Sequence, residues 1–355
     1  MRGLFPDAPL FQNKHRHVFS SECGVTLQPL GIRNVEDLLM PDPSDHHSGT
    51  VHDHFFLGHL QSVQGENAWY YNQRFLGRGG NGTAFLVTCS SGPNTGMQFV
   101  LKVFHKISND KRRQKFLKEI AHLRSLDHPA ITRVFDEGTF KSNTGVDYPF
   151  AIIEYVPVTA RALLLSKQID RLRAIRIALN CLSAIGCLHK ASPPLIHRDI
   201  KPENILISEM GAKLADFGLV KVLTDLESAS DEDAFEGTQW PGMPWHYRTP
   251  ELVKRANDHK TLITPKSDIF QFGTVFYELL TGFNPQLPPK DLTEPINLDL
   301  REIRGNHGQE LSDLVEAMLA EKPSNRLPAH ACMTRLNKIH EAYCGSLFEV
   351  TGQFV

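Results

Sequence analysis

The chain predicts an α+β fold, with strands in its first part followed by a helical second part. Three observations carry this. Thr83-Ala84-Phe85-Leu86-Val87-Thr88 and Gln98-Phe99-Val100-Leu101-Lys102-Val103-Phe104 flank a turn of Ser, Gly, Pro and Asn, which reads as strand, turn, strand. Phe116, Leu117, Ile120, Leu123 and Leu126 then recur at helical spacing, and Asp127-His128-Pro129 ends that helix, because proline disfavours a helical residue before it. Ser267 to Gly282 reads as a helix apolar nearly all round, as expected of one buried in a large core. Between the two groups, Pro149 to Val156 reads as a further buried strand.

The most informative stretch lies where the helical part begins. His197-Arg198-Asp199-Ile200-Lys201-Pro202-Glu203-Asn204 is followed twelve residues after the Asn by Asp216-Phe217-Gly218. One short span thus supplies a carboxylate, a lysine and two further oxygen ligands. Phosphoryl transfer needs such a set, because its catalysis is mostly positioning and charge neutralisation. Asp199 can accept the proton of an incoming hydroxyl, and Lys201 can sit against the phosphoryl group as it moves. Asn204 and Asp216 offer oxygen atoms to Mg²⁺, a hard cation.

Upstream, Leu76-Gly77-Arg78-Gly79-Gly80-Asn81-Gly82 matches G-x-G-x-x-G. A dinucleotide loop of that form runs from a strand into a helix, whereas this one runs into a second strand. Glycines suit it because a Cβ would hold the backbone away from nucleotide phosphates. Lys102 sits mid-strand among apolar neighbours, where an unpaired charge is costly. Taken in order, with Pro250-Glu251 and Ser267 to Gly282 downstream, these elements resemble the eukaryotic-type (Hanks-type) serine/threonine protein kinases over about residues 69–345.

The resemblance implies a bilobal protein-kinase fold: a small antiparallel β-sheet lobe with one helix over 69–157 and a larger, mainly helical lobe over 158–345. An N-terminal extension (1–68), partly packed and partly flexible, and a C-terminal tail (346–355) would flank them. It implies ATP and Mg²⁺ as cofactors. Gly77, Arg78, Gly79, Gly80, Asn81 and Gly82 would cover the phosphates. Ala84, Val100, Ile153, Glu154, Val156 and Leu206 would surround the adenine, with Ile153 as gatekeeper. Lys102, held by Glu119, would orient the α/β-phosphates. Asp199 and Lys201 would act on the acceptor, and Asn204 and Asp216 would hold the metal. Asp268 would hold the catalytic-loop backbone, Arg326 would pair with Glu251, and Leu123, Val134, His197 and Phe217 would stack between the lobes. Lys201 in Lys-Pro-Glu points to Ser/Thr acceptors on a protein substrate. The resemblance also leaves room for a homodimer in trans-autophosphorylation.

Three departures from the family stand out. The segment between Asp216 and Glu251 is long and acidic, with Asp225, Glu227, Asp231, Glu232, Asp233 and Glu236 beside Thr224, Ser228, Ser230 and Thr238. Three readings fit it: phosphorylation paired with Arg198, an acidic run that already supplies that charge, or a solvated mobile loop. Pro244 stands where many such kinases have a Thr, and Thr249 replaces the usual Ala before Pro250-Glu251. Ala84 and Val100 exchange the family's Val and Ala, which keeps the total volume nearly unchanged. Two other function classes remain open. One is a pseudokinase scaffold that binds nucleotide without efficient transfer, and the other is a kinase-like phosphotransferase acting on small molecules.

Composition sets the outer limits. With 355 residues and 41% hydrophobic content the chain can bury two lobes, and a net charge of −2 gives no support to nucleic-acid binding or a polybasic membrane anchor. No apolar run reaches the roughly 18 residues of a membrane span, and the first residues lack an apolar stretch after a basic start. Six cysteines show no C-x-x-C pair, and Cys181 and Cys187 fall in an apolar segment, so buried free thiols are expected. Together these place the chain in a soluble, reducing compartment, the cytoplasm. His46, His47, His52, His54, His59 and Cys23 match no known zinc spacing, and a flexible polar linker is the plainer account of them.

Overall fold

The computed structural model describes residues 57–78, 82–104, 110–142, 145–216, 221–222, 246–258, 260–291 and 293–351. The smaller lobe is built on six antiparallel strands: β1 (Ser62–Gln64), β2 (Trp69–Arg78), β3 (Gly82–Cys89), β4 (Gln98–Phe104), β5 (Val134–Lys141) and β6 (Asp147–Glu154). Their order across the sheet is β1-β2-β3-β4-β6-β5, with helix α1 (Asp110–Arg124) between β4 and β5 in sequence. Alternation along the strands gives the sheet two faces. Phe85, Val87, Phe99, Leu101, Val103, Phe150 and Ile152 form one apolar cluster with Leu57, Val63 and Tyr70. On the other face, Ala84 pairs in register with Lys102, and Val100 with Ile153.

The sheet starts earlier than residue 69. Leu57 is buried and β1 pairs with β2, so residues from 57 onward belong to this lobe. The buried Asp136 carboxylate fixes the β1–β2 turn by accepting from the Asn67 side-chain amide (2.9 Å) and the Tyr70 hydroxyl (3.0 Å). Arg124 at the end of α1 adds ion pairs to Glu66 and Glu137, both at 3.0 Å. On α1, Phe116, Ile120 and Leu123 are buried as their spacing predicts. Leu117 is exposed, because it lies about 100° around the helix from Phe116.

The larger lobe contains β7 (Val158–Thr159), α2 (Ala160–Leu165), α3 (Arg171–Lys190), β8 (Leu195–Ile196), β9 (Ile205–Ser208), β10 (Gly211–Leu214) and β11 (Lys221–Val222). Helices α4 (Pro250–Asn257), α5 (Pro265–Thr281), α6 (Gly308–Met318) and α7 (Ala329–Thr351) complete it. An 18-residue stretch of α3 is apolar enough on average to cross a membrane by length and composition alone, but half of that stretch is buried inside the protein. The helix also carries Arg171, Arg173, Arg176 and Lys190, and its apolar face (Ile175, Ala178, Leu182, Ile185) lies in the core. Cys181 on that face is buried, which pushes its thiol up to about 12, whereas Cys187 is only half-buried. Helix α7 runs to Thr351, past residue 345, since nothing from Ser346 to Val350 breaks a helix before Gly352.

Helix α5 corrects the sequence reading more deeply. From Ser267 to Leu279 every residue is buried, but Ser267, Asp268, Gln271, Thr274 and Glu278 form a polar seam along one side. Their spacing of three or four keeps them on one helical face. Close packing of the helix is visible at Gly273, where a Cβ would lie 2.8 Å from Met318 of α6.

Candidate active site

The site lies where three backbone segments are fixed beside one another. The first is the turn from His197 to Asn204, held from below by α5. The buried Asp268 carboxylate accepts from the backbone N–H of His197 (2.9 Å) and of Arg198 (2.8 Å), and from His189 Nε2 (2.8 Å). Burial opposes ionisation of Asp268, but these donors and the nearby histidines outweigh it and hold the carboxyl below its ordinary range. Arg198 is left with φ +70°, a left-handed conformation that a non-glycine residue adopts only when its surroundings impose it.

This turn presents Asp199. Its Oδ2 accepts from Lys201 Nζ (2.8 Å) and from Asn204 Nδ2 (2.9 Å), and its backbone carbonyl accepts from the same amide (2.8 Å). The carboxylate is therefore aimed rather than mobile. The nitrogen of Asn204 is engaged by Asp199, so its oxygen is the atom left to ligate a cation.

The second segment carries Asp216. Leu214 is fixed to the smaller lobe by its N–H to the Ala130 carbonyl (2.8 Å), and its own carbonyl accepts from Thr132 (3.0 Å). Ala215 donates to the Asn204 carbonyl (2.9 Å), and its carbonyl meets His197 Nε2 (3.1 Å). Asp216 then turns at φ +59° and pairs with Lys102 of β4. The Lys102 ammonium and the Asp216 carboxylate thus meet across the lobes, 114 residues apart in sequence. Glu119 lies on α1, and its side chain is outside the described residues.

His197 joins both segments as a neutral ring. Its Nδ1 accepts from Asp199 N–H (3.3 Å), which leaves Nε2 to carry the proton given to Ala215. Burial holds its pKa below the ordinary value, and burial does the same at His128, whose Nδ1 accepts from Ala130 N–H (3.2 Å). A histidine with a depressed folded pKa lends stability above the unfolded value of about 6.5, and that stability is lost as pH falls toward the folded value. The melting temperature should be level above about pH 6.5 and fall below it, as His197 lowers the unfolding free energy by at most about 1.4 kcal/mol per pH unit. A melting profile from pH 8 to pH 5 that rises toward acid would contradict this.

The third segment runs from His246 into α4. Thr249, in place of the family's Ala, is the N-cap of α4, accepting from Leu252 N–H, with Pro250 at the first helical position. Such a cap contributes about 1 kcal/mol, a structural reason for this departure. The Tyr247 hydroxyl donates to Glu278 and accepts from Arg161, and Arg161 also pairs with Glu278 (2.7 Å) and Glu203 (2.8 Å). Burial first, and the Glu278 carboxylate second, push the Tyr247 phenol above its ordinary value.

The nucleotide positions are brought together in part. Gly77, Ala84 and Lys102 line up across β2, β3 and β4, and Val100 faces Ile153 two residues further along. Gly82 is required by its own sheet, since a Cβ there would lie 2.3 Å from the Val103 carbonyl. Glu154 ends β6 and pairs with Lys213 (2.8 Å), Val156 follows it buried, and Leu206 lies on β9 opposite Thr159. Gly79, Gly80, Asn81, Phe217, the hydroxyls and acidic run between 224 and 238, and Pro244 lie outside the described residues. Among the described residues no three His, Cys, Asp or Glu side chains group as a metal site. Gln271, His189, Arg161 and Glu278 were not foreseen; the only signal for Gln271 and Glu278 was a polar residue inside an otherwise apolar helix.

The protein kinase domain model matches residues 70–336. The chain is 31% identical over 242 residues to the serine/threonine-protein kinase PknB of Mycolicibacterium smegmatis, covering 64% of this chain and 36% of that protein. It is 27% identical over 342 residues to human ribosomal protein S6 kinase alpha-6, covering 91% of this chain and 42% of that protein. A probable serine/threonine-protein kinase of Clostridium perfringens, CPE1738, is 29% identical over 229 residues, 62% of this chain and 30% of that protein. The chain thus spans less than half the length of these relatives. With the matched domain extending over most of its residues and the ordered site within it, the chain belongs to the Hanks-type protein kinase family.

Proposed function

We propose that the chain transfers the γ-phosphate of ATP to serine and threonine hydroxyls of protein substrates and phosphorylates itself. The observation that carries this is the Asp199 carboxylate, fixed by both Lys201 and Asn204 beside the Asp216 segment. Serine/threonine-protein kinases among its relatives support the acceptor class. In the proposed reaction Lys102 orients the α/β-phosphates and Gly77 to Gly82 covers them. Asp199 positions the acceptor hydroxyl and takes its proton as the oxygen bonds to the γ-phosphorus. The bond from that phosphorus to the β–γ bridging oxygen breaks, and ADP leaves. Lys201 lies against the transferred group and offsets its charge. Asn204 and Asp216 fit Mg²⁺ through an amide and a carboxylate oxygen, and the ion when bound neutralises phosphate charge; two protein ligands suffice because phosphates and water complete its shell. The described cysteines are free, in keeping with the cytoplasmic setting that forms part of this proposal.

The test is to incubate the purified chain with Mg-ATP and a generic protein acceptor, then map phosphate by mass spectrometry. Phosphate is expected on Ser and Thr of the acceptor, and on Thr238 or the hydroxyls at 224–230 of the chain itself. ATP binding with no phosphate on either protein would move the weight to a nucleotide-binding scaffold.

A further inference from the structure

The polar seam of α5 contains one residue that touches two of the three site segments at once. Gln271 is buried, and its side-chain oxygen accepts from Ile200 N–H (3.1 Å). Its nitrogen donates to the Arg198 carbonyl (3.0 Å) and to the Tyr247 carbonyl (3.1 Å). Both amide protons and one oxygen lone pair are therefore spent on backbone. Asp268, one turn earlier, fixes the N–H groups of His197 and Arg198, so the two side chains together hold the backbone on either side of Asp199. Of these two, Gln271 also reaches the segment from His246 to Thr249. Tyr247 is thereby held at both ends, by its carbonyl at Gln271 and by its hydroxyl at Glu278.

We infer that Gln271 is a positioning residue that ties the segment at Tyr247 to the backbone carrying Asp199, and that this segment borders the acceptor, so that the acceptor hydroxyl and its base stay in register. The inference rests on the proposed kinase reaction. A carboxylate cannot replace the amide, because it accepts at both oxygens and would face two carbonyls. A thioether of similar length fills the space and offers neither proton. Since a misplacement of about 1 Å can cost 10²-fold, the expected loss in protein phosphorylation is on the order of 10- to 100-fold.

The experiment compares wild type with Gln271→Glu and Gln271→Met in the full chain. For each, kcat and KM are measured for transfer to a peptide acceptor, alongside the rate of ATP hydrolysis, in which water replaces the acceptor and needs no contact with Tyr247. Rates are normalised to the fraction of protein that binds Mg-ATP, so loss of folded material does not count. The expected result is an unchanged KM for ATP, a fall in peptide kcat of at least about tenfold, and a smaller fall in hydrolysis. Peptide transfer within about twofold of wild type in both variants would overturn the inference. So would an equal fall in transfer and hydrolysis, which would place Gln271 behind Asp199 alone. Wild type that binds Mg-ATP yet transfers no phosphate overturns the parent reading and this one with it, which keeps the two failures apart.

Discussion

An Asp199→Ala variant is expected to lose phosphoryl transfer by a factor of about 10² to 10⁴, the range that a positioned general base contributes. ATP binding should persist, because Lys102 and the adenine-facing positions on β3, β4 and β6 are held by the sheet of the smaller lobe. The substitution removes more than a proton acceptor. Lys201 and Asn204 both donate to Asp199 Oδ2, and without it the turn loses the bonds that aim all three groups. Asp199→Asn separates the two effects, since an amide keeps an acceptor for Lys201 but takes no proton from a hydroxyl. Both variants should bind nucleotide by calorimetry and fail in the transfer assay. Turnover equal to wild type in either one would remove Asp199 from the mechanism.

The largest expected loss of stability comes from Arg326→Met. The five N–H groups of this buried guanidinium all have acceptors. Nη1 and Nη2 grip the two oxygens of Glu251 (2.6 and 2.8 Å), and the carbonyls of Lys266, Glu321 and Ala320 take the rest. The guanidinium also lies 4.7 Å over the Phe270 ring. Removing one partner leaves Glu251 as an uncompensated buried charge, which costs about 3–5 kcal/mol. The midpoint of thermal unfolding should fall on the order of 10 °C. Arg326→Lys should recover little, because three donors on a flexible stem cannot match five in a rigid fork. A melting temperature within about 2 °C of wild type for Arg326→Met would show that the pair adds almost nothing.

The sequence exposes this site unevenly, and the reason is distance along the chain. Asp199, Lys201, Asn204 and Asp216 sit within one short span, so the chemistry they share is written as spacing. The pair Glu251–Arg326 was reachable only through the family resemblance, being 75 residues apart. Lys102 was expected against Glu119, and the partner described for it is Asp216, a contact between lobes that no local pattern encodes. Gln271 and Glu278 were hidden by the helix around them. A run such as Ile269-Phe270-Gln271-Phe272 reads as apolar on average, although its one polar member faces the site. Leu57 and Asp136 were missed for a similar reason. A sheet does not announce its first strand when that strand has three residues and its partners lie on β2 and beyond.

The seam along α5 also turns the helix into a ruler. Asp268 and Glu278 are ten residues apart, about 15 Å along the axis, and they hold opposite ends of the same constellation. A substitution on the apolar side changes packing but leaves that measure intact. A single inserted residue between them would advance the far end by 1.5 Å and swing it through about 100°, taking Glu278 and Tyr247 out of phase with Asp268 and Asp199. The number of residues from Asp268 to Glu278 is therefore fixed by geometry.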